Sequence, residues 1–149
     1  VERTLTRMIN ALPPEVLVQI LDALPIRIFW KDRESRFLGC NQLFAADAGV
    51  PDPAEFIGKS DYFFFEPQQA AMFRDDDADV MFSGQPKVGI EEKLTHANGE
   101  VRWLETSKFP LRDNEGHIWG VIGMYQDVTE RKLMEELRCR TCRASSAAA

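Results

Sequence analysis

The chain has 149 residues, a net charge of −6 and three cysteines. That length supports one domain with its own core plus flanking helices. No apolar run approaches the ~20 residues of a membrane span, and no signal-peptide pattern opens the chain. Residues 138–149 hold Arg138, Arg140 and Arg143 and no acid, so residues 1–137 carry 15 basic against 24 acidic groups, a net −9. An acidic domain without a basic stripe argues against a nucleic-acid partner. Cys40 falls in a predicted strand, whereas Cys139 and Cys142 fall in the tail. This odd set argues against a disulfide framework and for a reducing, cytoplasmic compartment. No membrane contact is expected within this stretch, although the parent protein can carry spans elsewhere.

Residues 2–11 read as a short helix, broken by Pro13-Pro14. A second helix follows from Glu15, with Val16, Leu17, Ile20, Leu21 and Leu24 recurring at helical spacing. That stripe can cover the outer face of a sheet or meet a partner's copy of itself. Pro25 ends the helix and opens a strand over Ile26–Lys31, and a polar turn at Asp32-Arg33-Glu34-Ser35 leads to a second strand, Arg36–Cys40. Asn41 can cap a helix over Gln42–Ala48, which Gly49 ends. A helical turn at Ala54–Ile57 is closed by Gly58, and Ser60-Asp61 precedes the aromatic run Tyr62-Phe63-Phe64-Phe65. The longest internal helix spans Pro67–Ser83, stopped by Gly84 with Pro86 beyond. A strand over Lys87–Thr95 then meets a hairpin signal at His96-Ala97-Asn98-Gly99.

The next stretch, Glu100–Leu137, organises the rest. It reads as a hairpin of strands Val101–Leu111 and Ile118–Tyr125, turned at Asn114-Glu115-Gly116, which runs without a loop into a charged amphipathic helix. The second strand has no charged residue on either face: Trp119, Val121, Gly123 and Tyr125 line one side, and Ile118, Gly120, Ile122 and Met124 the other. A strand apolar on both faces needs cover on both sides of its sheet. Two strands before the helical insert and three after it indicate an antiparallel α+β domain.

The order and spacing of several short motifs over about residues 22–132 resemble a PAS domain. They are Asp32–Asn41 (DRESRFLGCN), Phe44, Ile57-Gly58, Ser83-Gly84-Gln85-Pro86, Asn98–Trp103 (NGEVRW), Asp113–Gly116 (DNEG), and Gly120–Lys132 with its Asp-Val-Thr-Glu-Arg-Lys ending. The resemblance implies a five-stranded antiparallel sheet of order 2-1-5-4-3, helices and a cavity on one face, and a flanking helix on the other. It also implies a non-catalytic sensory module of a histidine kinase, diguanylate cyclase or related receptor, commonly dimeric through its flanking helices. The expected division is 1–24 as N-terminal flanking helices, 25–129 as the core, 130–137 as the start of the signalling helix, and 138–149 as a disordered or added tail. The covalently linked output domain would lie beyond.

Asp127 and Thr129 are the expected signal junction. Either can cap the following helix and complement its dipole, and Asp127 can pair with Arg102, which precedes Trp103. In relatives the equivalent acid and hydroxyl tie this junction to the sheet. Catalysis is not expected: His96 and His117 fall in hairpin turns, and no Ser/His/Asp or Cys/His set is spaced for it. Asp75-Asp76-Asp77 cannot converge on one ion, since successive helical residues point ~100° apart; a solvated face is the expected reading. Cys139-x-x-Cys142 lacks a second ligand pair. No metal is expected.

Relatives that bind haem use a histidine on the long helix, and residues 67–83 contain none. Asp61 stands where photoactive flavin relatives carry their cysteine. Haem and a photoactive flavin are therefore not expected, whereas noncovalent flavin stays open. By alternation and resemblance, the candidate cavity residues are Phe29, Leu38, Cys40, Phe44, Met72, Ile90, Leu104, Val121 and Tyr125, with the Tyr125 hydroxyl or Thr106 as polar contacts. These enclose either a packed core or a small apolar or aromatic ligand. Gly120 and Gly123 either leave room for that ligand or let another element pack closely.

Overall fold

The computed structural model describes residues 2–95 and 99–148. Helices α1 (Glu2–Asn10) and α2 (Pro14–Ala23) precede strands β1 (Arg27–Asp32) and β2 (Phe37–Cys40). Helix α3 (Gln42–Asp47), 3-10 turns at Pro53–Phe56 and Asp61–Phe63, and α4 (Pro67–Ser83) follow. Strands β3 (Lys87–Thr95), β4 (Val101–Arg112) and β5 (Ile118–Asp127) lead into α5 (Thr129–Ala148). The strands form one antiparallel sheet of order β2-β1-β5-β4-β3. His96 and Asn98, in the expected β3–β4 turn, lie outside the described residues.

Local chemistry sets the boundaries. Asn41 caps α3 by accepting the Phe44 amide at 3.2 Å, and Asp52 and Glu55 form a reciprocal capping box on the first 3-10 turn. In register, Phe29 and Lys31 of β1 lie beside Gly123 and Val121 of β5, and Thr106 and Lys108 of β4 lie beside Tyr125 and Gly123. These residues face the helical side. Phe29, Phe37, Cys40, Phe44, Ala45 and Phe56 form the buried aromatic core there. Phe56 stacks on Phe64 with ring centroids 4.0 Å apart. Phe37 and Phe56 are fully buried, each stabilising the fold by about 1.5–3 kcal/mol relative to exposure.

A β-carbon on Gly123 would fall within the Phe29 ring, and one on Gly120 would meet the Lys31 carbonyl oxygen. Both glycines thus serve close packing between β5 and β1. Gly123→Ala should destabilise the domain by about 1–3 kcal/mol, because Phe29 must leave its place among Phe37 and Phe44. Denaturant titration with an unchanged slope would measure this; an unaltered midpoint would contradict it.

Three expectations change. The tail at 138–149 does not break the helix, since α5 continues through Ala148; its Arg- and Ala-rich sequence has high helix propensity. Asp77 is fully buried rather than part of a solvated face. Finally, α2 buries no residue and keeps Leu17, Val18 and Ile20 exposed, as is Leu24 just beyond it. It is fastened at its C-terminal end instead, where the Leu21 carbonyl accepts from Asn41 at 3.1 Å and Asp22 accepts the Gln42 amide at 2.8 Å.

Candidate functional site

The strand-to-helix junction is built around Asp127. Its Oδ1 accepts the Thr129 amide at 2.9 Å and the Thr129 hydroxyl at 2.5 Å, while its Oδ2 accepts Arg102 Nη1 at 2.8 Å. The Thr129 hydroxyl in turn accepts the Trp103 amide at 2.9 Å, and the Trp103 carbonyl accepts the Val128 amide at 2.8 Å. One turn of chain is therefore sewn to β4 through both backbone groups of Trp103. Burial alone would raise the Asp127 carboxyl, but bonds from Thr129 and Arg102 outweigh it and hold it below the usual range.

A second set of contacts steadies α5 one turn further on. Glu91 of β3 accepts from Lys132 at 2.7 Å and from Arg131 at 2.9 Å, and Arg131 also reaches Glu105 of β4 at 3.1 Å. The Lys132 ammonium lies 4.9 Å from the centre of the Trp103 ring. Hydrogen bonding from Lys132 lowers the Glu91 carboxyl. The sequence reading missed this cluster; the adjacency of β3, β4 and α5, which spacing cannot reveal, brings its members together.

Behind the sheet the interior has two halves. One is the aromatic core. The other is ionic: Lys31 Nζ donates to both Asp61 oxygens at 2.8 Å and to Asp77 Oδ2 at 2.7 Å. Asp77 also accepts from the Ser35 hydroxyl at 2.9 Å and from Lys108 at 2.7 Å. Lys31, Asp61, Asp77 and Lys108 are all buried. The Lys31 ammonium lies 4.6 Å from the Phe37 ring centre, where the two halves meet. Burial pushes the Asp61 carboxyl up, with Lys31 opposing it incompletely. One signal for Lys31 was available, since it alternates with Phe29 along β1 and so must share its face.

At the far edge of this ionic half, Asp76, Lys87, Ile90, Glu92, Thr106 and Lys108 line a cleft of about 270 Å³ between α4 and strands β3 and β4. Of the expected cavity residues, Ile90 and Thr106 border this cleft. Phe29, Cys40 and Phe44 belong to the aromatic core, with Tyr125 packed against it. Val121 is fully buried, and Leu104 is half-buried at the junction end of β4. Burial raises the Cys40 thiol to about 11. Tyr125 does not offer its hydroxyl to a ligand; it donates to Asp47 of α3 at 3.1 Å, and burial followed by the Asp47 charge raises its pKa.

Leu38 and Met72 are corrections. Met72 is 70% exposed on α4. Leu38 is exposed because β2 is bulged: Trp30 pairs with Gly39, but Lys31 pairs with Phe37. The extra residue breaks strict alternation, turning Leu38 outward and Phe37 into the core. His117 is exposed in the β4–β5 turn. Among the described residues, no group of three or more His, Cys, Asp or Glu is arranged to hold a metal ion.

The sequence profile of the PAS fold matches residues 21–133. The chain belongs to the PAS family. The chain is 34% identical over 113 residues to the methanogenesis regulatory histidine kinase FilI of Methanothrix harundinacea, covering 76% of this chain and 12% of the kinase. It thus spans about an eighth of that relative's length. The PAS domain of Bordetella pertussis BvgS superposes with a TM-score of 0.66 at 25% identity, covering 85% of this chain and 95% of that one. Vibrio cholerae VqmA, solved as a ligand–DNA complex, superposes with a TM-score of 0.69 at 29% identity, covering 80% and 53%. PAS domains of this kind are sensory parts of signalling proteins such as histidine kinases. Among the described residues, no helix of this PAS domain is long and apolar enough to cross a membrane.

Proposed function

We propose that this PAS domain is the sensory relay of a larger signalling protein, a histidine kinase or diguanylate cyclase, and passes changes in its sheet to an output domain through α5. The observation that carries the reading is the Asp127–Thr129–Trp103 stitch, which makes the start of α5 an extension of β4. A small displacement of β4 then alters the pose of α5, and output changes as far as a stimulus favours one pose over another. Free thiols at Cys40, Cys139 and Cys142 support a cytoplasmic setting.

The test is Asp127→Ala in the full-length receptor. The stimulated-to-basal output ratio should fall about fivefold or more, the lower end of ordinary coupling energies. Asp127→Asn, which keeps an acceptor for Thr129 but loses the charge facing Arg102, should fall between. Unchanged output in both variants would sink the relay reading.

A second reading, a ligand-free dimerisation domain, is favoured by one observation. Leu5, Met8 and Ile9 of α1, Leu17, Val18 and Ile20 of α2, and Leu133, Met134 and Leu137 of α5 are exposed in the single chain. The two readings are compatible, because a homodimer through these helices would give α5 a parallel neighbour to move against. Noncovalent flavin is disfavoured: the cleft of about 270 Å³ lies below the usual size of ligand pockets, and phenylalanine rings fill the adjoining core.

A further inference from the structure

The cleft between α4 and β3–β4 has a lining whose hydrogen-bonding capacity is only partly used. Lys108 is 4% exposed, and its ammonium has three N–H donors. One goes to Asp77 at 2.7 Å and one to Asp76 at 3.1 Å, leaving the third without an acceptor among the described residues. Lys87, which is more exposed and stands nearer the mouth, is paired with Asp76 and, at 3.0 Å, with Asp79. On the opposite side, Glu92 lines the cleft with no ion-pair partner among the described residues, and the Thr106 hydroxyl makes no hydrogen bond there. Ile90 supplies an apolar wall between them.

The pairing of β3 with β4 fixes how these groups are spaced. Ile90 lies beside Thr106, Glu92 beside Leu104, and Lys87 beside Lys108. Glu92 and Lys108 therefore stand at diagonal ends of the cleft, four residues apart along the ladder. That is about 13 Å between backbones, and two long side chains reaching into the cleft from its ends leave a shorter span between their charged groups. An occupant must offer an acceptor at the Lys108 end, a cationic donor at the Glu92 end and a short apolar body across Ile90.

We propose that this cleft binds a small zwitterion, with its carboxylate on Lys108 and its ammonium on Glu92. The site rests on the sensory reading above and gives it an input. Its position also supplies a route outward. Ile90 and Glu92 face the cleft, while Glu91 between them faces the other side of the sheet and holds Lys132 and Arg131 of α5. A ligand that draws Glu92 inward moves the strand on which α5 is braced.

The test uses a ladder of ω-amino acids, from glycine through 4-aminobutyrate to 6-aminohexanoate, titrated calorimetrically into the 149-residue chain. Butylamine and butyrate serve as single-charge controls. One mid-length member should bind at least tenfold more tightly than either control. Glu92→Gln, a change at an exposed side chain, should weaken it tenfold or more, and Thr106→Val should weaken it less. Failure of every member to bind, binding no tighter than the controls, or affinity unchanged by Glu92→Gln would each overturn the proposal. Those failures would leave the Asp127→Ala output result standing, so the input and the relay are judged separately.

Discussion

Lys31→Ala is expected to cost the domain about 3–5 kcal/mol at neutral pH, the usual penalty for stripping one partner from a buried ion cluster. The substitution leaves Asp61, 1% exposed, with no cation on its two oxygens, and takes from Asp77 one of its three donors. It also empties the space above the Phe29 and Phe37 rings. The loss should depend on pH, and its sign follows from Asp61. Burial raises that carboxyl in the folded state, so the fold binds more protons than the unfolded chain between the ordinary and the raised pKa. The contribution of Asp61 to stability therefore falls as pH rises through that window and stays low above it. Without Lys31 the carboxyl rises further and the window widens upward. Asp127, Asp76 and Glu91, whose carboxyls are lowered, lose stabilisation in acid in both proteins and cancel in the comparison. Urea titrations at pH 7 and pH 5 should show the deficit of the variant narrowing at the lower pH. A deficit below about 1 kcal/mol, or one independent of pH, would contradict this account of the interior.

Asn41→Ala should cost about 2–5 kcal/mol. The side-chain oxygen accepts the Ile28 amide at 3.1 Å and the Phe44 amide at 3.2 Å. Its nitrogen donates to the carbonyls of Leu21 at 3.1 Å and Ile26 at 2.8 Å. Alanine strands two buried amides, each worth about 1–3 kcal/mol unsatisfied, and removes the cap of α3. It also cuts a bond from the core to α2. Asn41→Asp keeps both acceptor bonds and loses both donors, so it should lie between wild type and alanine. Amide hydrogen exchange at Ile28 and Phe44 distinguishes the cause: both should speed up in the alanine variant and change less in the aspartate variant. Equal stability of all three proteins would show that Asn41 is not the fastening point.

The fold was legible because its punctuation is local. Pro25, Asn41, Gly84 and Gly116 mark ends that depend on backbone rules rather than on distant contacts, and the strands and the helices before them begin and end within about two residues of where the sequence places them, whereas α5 runs on through the expected tail. The two-faced β5 was legible too, since its apolar residues need no partner to be counted. The junction was readable as a set of residues, but not as a geometry: nothing in the spacing of Trp103 and Thr129 says that one hydroxyl accepts from one backbone amide. The interior was read less well, for two physical reasons. A bulge at Leu38 shifts the inward position by one residue, and bulges leave little trace in composition. Charged residues in a core are also the exception that hydrophobic patterning is blind to. Lys31, Asp61, Asp77 and Lys108 come from four separate elements, and their mutual neutralisation becomes visible when those elements are in place.

The two sets of contacts at the base of α5 differ in how they meet salt. The Thr129–Trp103 bonds are short-range and involve the backbone, whereas the Glu91, Glu105, Arg131 and Lys132 pairs lie near the surface. Exposed pairs of that kind are worth about 0–1 kcal/mol each and are weakened by salt. The first set therefore acts as a pivot and the second as a brake whose grip relaxes with ionic strength. From that pivot, α5 extends 20 residues, a lever about 30 Å long at the ordinary helical rise. A swing of about 10° at Thr129 carries its far end through about 5 Å, close to the rise of one helical turn. In the proposed relay, rearrangements within the sheet too small to disturb its ladder would reach the distal end of the helix enlarged to the scale at which helices change partners.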